Sequence, residues 1–164
     1  MTTASSSTTF SGLAETFRQG LRLLSTLALA AAQPTLRVAL ALPFLRSGMT
    51  RWDGFLNLAP TTSFLFEEQF KLHLFGGEYP IPFPDQVAFL TACAEITLPI
   101  LLLAGLATRL SALGLLAMTG VIQLVMPDGW QNFHLYWAAM ALAIVAVGPG
   151  PLALDRAFGR SVTN

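Results

Sequence analysis

The stretch 85-DQVAFLTACAEITLPILLLAGL-106 decides how this chain is read. At about 1.5 Å per helical residue it is long enough to cross a hydrocarbon core about 30 Å thick. Past Asp85 at its start, only Glu95 carries charge. An ionisable side chain in that position costs on the order of 3 kcal/mol even on lenient insertion scales. Glu95 therefore needs a partner, a proton or a task.

The composition of the whole chain agrees with a membrane reading. Of 164 residues, 54% are hydrophobic and 11% charged, with a mean hydropathy of +0.61; soluble domains carry about 25% charged residues. The length fits one domain. A formal net charge of zero gives nucleic acid nothing to bind. Cys93 is the only cysteine, which rules out an intrachain disulfide and a cysteine-based zinc cluster.

Outward from 85–106, the pattern predicts an all-α polytopic membrane protein built on a four-helix transmembrane bundle. The other spans are 35–52, 110–127 and 131–148, each near spanning length. The first is poor by hydropathy, since Pro43 and Arg46 lie within it. Short turns at 105–108 and 127–129 force antiparallel neighbours, and GPGP at 148–151 stops the last helix. Residues 1–34 form a separate unit. Positions 1–9 (MTTASSSTT) are polar and expected to be unstructured. Positions 10–32 read as an amphipathic surface helix, with Leu13, Phe17, Leu21 and Leu24 opposite Glu15, Arg18, Gln19 and Arg22. A cleaved signal peptide is the alternative, because 23–32 is short, apolar and ends in three alanines. Gln33 and Pro34 lead straight into the next apolar run, so an uncleaved amino terminus is expected. The membrane domain covers 35–156 and a cytoplasmic tail 157–164. In the long connection 53–84, Phe66, Phe70 and Leu74 recur every four residues, which predicts a short interfacial helix over 62–75.

Counting Lys and Arg in the loops orients the bundle. Arg18, Arg22, Arg37, Arg109, Arg156 and Arg160 fall on one side and Arg51 and Lys71 on the other, which places both termini in the cytoplasm. From the outer ends, Glu95 then lies roughly 15 Å deep, Arg46 roughly 9 Å, Gln123 roughly 6 Å and His134 roughly 5 Å. Four polar residues, one per helix, share the outer half, while the inner halves are nearly featureless. This predicts an outward-facing polar pocket of Arg46, Glu95, Gln123 and His134. Arg46 and Glu95 are expected in direct or water-mediated contact, as a structural pair or as part of a binding site. Gln123 reads as interhelical glue or a ligand contact. His134 reads as an interfacial residue, a proton carrier or a metal ligand. Cys93 and His134 are the candidate metal ligands, without any HxxH, CxxC or ExxH spacing to support them. No phosphate loop, GxSxG elbow, HExxH or triad can be assembled, so a non-enzymatic role is expected.

Three motifs in order carry a family resemblance. FLRSGMTRWDGF at 44–55 resembles the first-helix signature of the DoxX family, AEITLPILLLAGLATRLSALGLLAMT at 94–119 its acidic second helix and following turn, and GPGPLALD at 148–155 its closing motif, with Ala153 where the family often has Ser. The resemblance implies a four-helix integral membrane protein, usually of unassigned activity. Some relatives are linked to quinone or sulfur redox systems. GGEYPIPFPDQVAFL and VIQLVMPDGWQNFHLYW further resemble DoxX proteins encoded near peptide-modifying multinuclear iron enzymes, a setting associated with copper stress. The resemblance thus implies a bacterial inner-membrane protein acting in a redox or metal-stress system, with a protein partner there. Quinone or copper are the candidate cofactors. A quinone-linked redox subunit and a small-molecule or metal carrier are the alternatives.

Overall fold

The computed structural model describes the backbone of residues 5–161 and the side-chain environments of residues 15–157. In chain order the elements are α1 (Ser5–Met49), α2 (Pro60–Phe64) running into a wide turn (Leu65–Gln69), strands β1 (Lys71–Leu74) and β2 (Gly77–Pro80), α3 (Pro84–Ala104), α4 (Thr108–Val125), a turn of 3₁₀ (Pro127–Gly129) and wide (Trp130–His134) geometry, α5 (Leu135–Val147) and α6 (Leu154–Ser161). α1 packs beside α3 and α5, and α4 beside the same two helices. The four close a ring in chain order, with short turns joining α3 to α4 and α4 to α5 and the long connection 53–84 joining α1 to α3.

The buried positions follow the helix period. On α3 they are Ala88, Ala92, Glu95, Pro99 and Leu102; on α4, Thr108, Ser111, Ala112, Leu115 and Thr119. Small and polar side chains thus face inward while Leu90, Ile100, Leu110 and Val121 point out. Helices that pack in lipid show this inversion, because tails solvate leucine as well as a core does and close backbone approach supplies the attraction. Leu40, Phe44, Leu102, Leu115 and Ile144 fill the centre.

Among the described residues three helices are long and apolar enough to cross a membrane: Glu15–Met49, Pro84–Ala104 and Thr108–Val125. Several boundaries differ from the sequence expectation. The surface helix and first span are one helix, Ser5–Met49, with Pro34 and Pro43 inside it. A proline removes one backbone hydrogen bond and kinks a helix without having to end it. Of the tail expected to be unstructured, residues 5–9 belong to this helix and residues 1–4 lie outside the described residues, as do 162–164 at the other end. The interfacial helix expected over 62–75 stops at Gln69; Phe70 turns extended (φ −78°, ψ 120°) and the chain enters a hairpin. Its two-residue loop, Phe75 and Gly76, has positive φ at both positions, 51° and 81°, the twist that suits tight hairpins.

At the end of the bundle away from the hairpin, the segment after α5 folds back onto the α3–α4 turn. Asp155 accepts from the backbone N–H groups of Ala107 (2.6 Å) and Thr108 (2.8 Å), capping α4, and its own N–H donates to the Gly105 carbonyl at 2.9 Å. Burial pushes the Asp155 carboxyl up, but the Thr108 backbone and hydroxyl, the Ala107 N–H and the Arg37 guanidinium outweigh it and hold the group below its ordinary value. Arg37 is itself buried, and its charge acts on Asp155 without a direct ion pair between the two.

Candidate functional site

Glu95 lies on the inward stripe of α3 with 2% of its surface exposed. Its partner is Arg51, just beyond the end of α1. Arg51 Nε donates to Glu95 Oε2, and Nη2 donates to Oε1 at 2.9 Å. The Ser47 hydroxyl also donates to Oε1, at 3.2 Å. This fork is the arrangement that guanidinium and carboxylate favour. The Phe66 ring covers the other side of the guanidinium, with Arg51 Cζ 5.3 Å from the ring centroid.

The expected Arg46–Glu95 pair is therefore corrected: Arg46 is exposed and Arg51 takes its place. The reason is angular. At about 100° per residue, Phe44, Ser47, Gly48 and Arg51 share the face of α1 that meets α3, while Arg46 is about 200° from Phe44. Depth alone made Arg46 the nearer candidate, but its side of the helix faces away. The Arg51 backbone is held in turn by its loop, since its carbonyl accepts from the Ala59 N–H (2.9 Å) and the Thr62 hydroxyl (3.1 Å). Gly48 makes the approach of the two helices feasible. A Cβ there would lie 2.9 Å from Glu95 Cβ and from Ile96 Cγ1.

Gln123 and His134 are brought together, with His134 Nδ1 2.6 Å from Gln123 Oε1. Gln123 Nε2 donates to the Pro127 carbonyl at 3.0 Å, which turns its oxygen toward the imidazole and makes Nδ1 the donor. His134 is 3% exposed, tilted at 48° against the Trp137 ring and pressed against Gly129.

Glu95, Arg51, Ser47 and His134 share one cavity of about 520 Å³, within the range of small-molecule sites. Its walls are otherwise mostly apolar, with Phe44, Val87, Ile122, Phe133 and Trp137 from the bundle. Phe66, Phe70, Leu72, Ile81 and Pro82 roof it from the α2 and hairpin segment. His73 fastens the hairpin to the bundle through Nδ1, 3.1 Å from the Leu124 carbonyl at the end of α4. Arg46 and Gln123 do not line the cavity, and Gln123 reaches it only through His134. Cys93 is half-buried and free. No group of three or more His, Cys, Asp or Glu stands together among the described residues.

The DoxX family model matches residues 32–128, more than half of the chain. The chain belongs to the DoxX family. No curated protein and no solved structure matches it. The matched region of this DoxX membrane protein holds Ser47, Arg51, Glu95 and Gln123, the hairpin and all of α3 and α4, while α5 and His134 follow it. Sequence reasoning passed over Arg51 and Ser47 as site residues, though both stand in the first-helix motif SGMTR. The usable signal was their spacing of four, which puts them on one helical face.

Proposed function

We propose that this DoxX protein is a non-enzymatic membrane component that binds a hydrophobic small molecule in the cavity beneath the hairpin, within a redox or metal-stress system of a bacterial inner membrane. The observation that carries this reading is the apolar cavity with buried Glu95 neutralised by half-buried Arg51 on its wall. A purely structural ion pair would need no adjoining space of this size. In the proposed topology α5 and the wide turn before it form the fourth span, and both termini lie in the cytoplasm, following the arginine asymmetry. The amino-terminal half of α1, exposed from Glu15 to Leu29, rests on lipid headgroups through Arg18 and Arg22.

The test is to purify the protein in lipid nanodiscs, extract it with organic solvent and identify retained molecules by mass spectrometry. Ile122→Trp, which fills the cavity from α4, serves as the control. A hydrophobic compound retained by the wild type and lost from the variant supports the reading. A quinone in that role would favour the redox-subunit alternative. Equal extracts from both proteins refute cavity binding. Stoichiometric copper that disappears on His134→Ala would replace the reading with a metal carrier.

A further inference from the structure

Resting on the cavity reading above, we infer that the Arg51–Glu95 pair selects ligands with an uncharged, hydrogen-bonding head, of the fatty or isoprenoid alcohol and ketone class, and rejects anionic and cationic amphiphiles of the same length. Among the described side chains lining the cavity only Arg51 and Glu95 carry formal charge, and they are bonded to each other. Among the described residues no carboxylate is bonded to His134; its Nδ1 proton is spent on Gln123, and in its neutral form it adds no charge. An ionic head entering the cavity would leave water for a site with no spare counter-charge, which is expensive. It could gain one only by pulling Arg51 and Glu95 apart.

A neutral head meets no such obstacle. Nε and Nη2 of Arg51 are used on Glu95 and Ser47, which leaves Nη1 out of those bonds. The Ser47 hydroxyl, having donated to Glu95 and accepted from Arg51, still has one lone pair, and Thr91 lines the same cavity one turn before Glu95. Together these groups offer donors and acceptors to a hydroxyl or carbonyl. The surrounding Phe, Ile, Val and Trp side chains accommodate its apolar body.

The experiment uses full-length protein in nanodiscs with Trp52→Phe and Trp130→Phe, leaving cavity-lining Trp137 as the single tryptophan. Three probes of equal chain length, ω-bromoundecanol, ω-bromoundecyl sulfate and ω-bromoundecyl trimethylammonium, are titrated and saturable quenching is read. The alcohol is expected to half-saturate at concentrations about tenfold lower than either ion, a difference of about 1.4 kcal/mol. Glu95→Gln leaves Arg51 uncompensated and is expected to shift the preference toward the sulfate. Arg51→Lys keeps the charge balance and is expected to retain the preference for the alcohol. A wild-type preference for the sulfate or the ammonium, or indifference among the three, overturns the inference while leaving cavity binding standing. So does a Glu95→Gln protein that folds and still prefers the alcohol as strongly. Absence of saturable quenching by all three probes removes both the inference and the cavity reading.

Discussion

A double-mutant cycle at Arg51 and Glu95 tests the central feature of the structure directly. Glu95 is 2% exposed and accepts from Arg51 twice and from Ser47 once. Arg51→Met strands a buried carboxylate, which costs about 3 to 5 kcal/mol. The Ser47 hydroxyl still donates to the stranded carboxylate, so the lower end, about 3 kcal/mol, is expected. Glu95→Leu should cost less, about 2 kcal/mol, because Arg51 retains 14% side-chain exposure and contact with the Phe66 ring. The double variant Arg51→Met/Glu95→Leu replaces the pair with apolar groups of similar reach and should recover to within about 1 kcal/mol of wild type. The implied coupling is about 4 kcal/mol, above the range of about 0.5 to 3 kcal/mol usual for residues in direct contact. Reversible unfolding by sodium dodecyl sulfate in mixed micelles, followed by tryptophan fluorescence, measures all four corners. Arg46→Met is the internal control and should stay within about 0.5 kcal/mol of wild type. Additive single effects, or an Arg46→Met loss as large as that of Arg51→Met, would refute the assignment.

Other substitutions probe the neighbouring contacts. Gly48→Ala places a methyl 2.9 Å from Glu95 Cβ and should destabilise by about 1 to 3 kcal/mol in the same unfolding assay. At Gly129, a Cβ would lie 2.4 Å from His134 Cε1. Gly129→Ala is therefore expected to displace the imidazole and abolish its bond to Gln123, seen as a shift of the His134 ring nitrogens by NMR. Asp155→Ala removes the α4 cap and should cost about 1 to 2 kcal/mol. The folded-state pKa of Asp155 is depressed below its ordinary 3.8, so its contribution is fully present above that value and lost as pH falls through the folded pKa. The stability difference between wild type and Asp155→Ala should accordingly shrink only below about pH 4, and a difference already gone at neutral pH would contradict the capping role.

How far the sequence could be read depended on whether a signal was local. Glu95 was legible as a residue in need of a partner because a carboxylate in an apolar run is costly wherever the helix packs. The α3–α4 turn and the one before α5 were legible from glycine and proline. The connection 53–84 misled, because Phe66, Phe70 and Leu74 keep a helical period although Phe70 already leaves the helix. The competing signal was Gly76–Gly77, which marks a hairpin. Pro34 misled in the opposite sense, as a break that helix α1 does not take.

The sequence by itself determined that this is a membrane protein of the DoxX family, with one buried acid, polar residues gathered toward one end and apolar surfaces for lipid. These properties reside in composition, spacing and short motifs, and they hold before any two segments meet. Only the tertiary structure decided which arginine answers Glu95, that Gln123 serves His134 rather than the cavity, and that a hairpin roofs the space between them. Each of those outcomes depends on which face of one helix turns toward another. About 140° around α1 separates Arg46 in the open from Arg51 on the acid, and which of those two sides meets α3 is decided only when the helices pack.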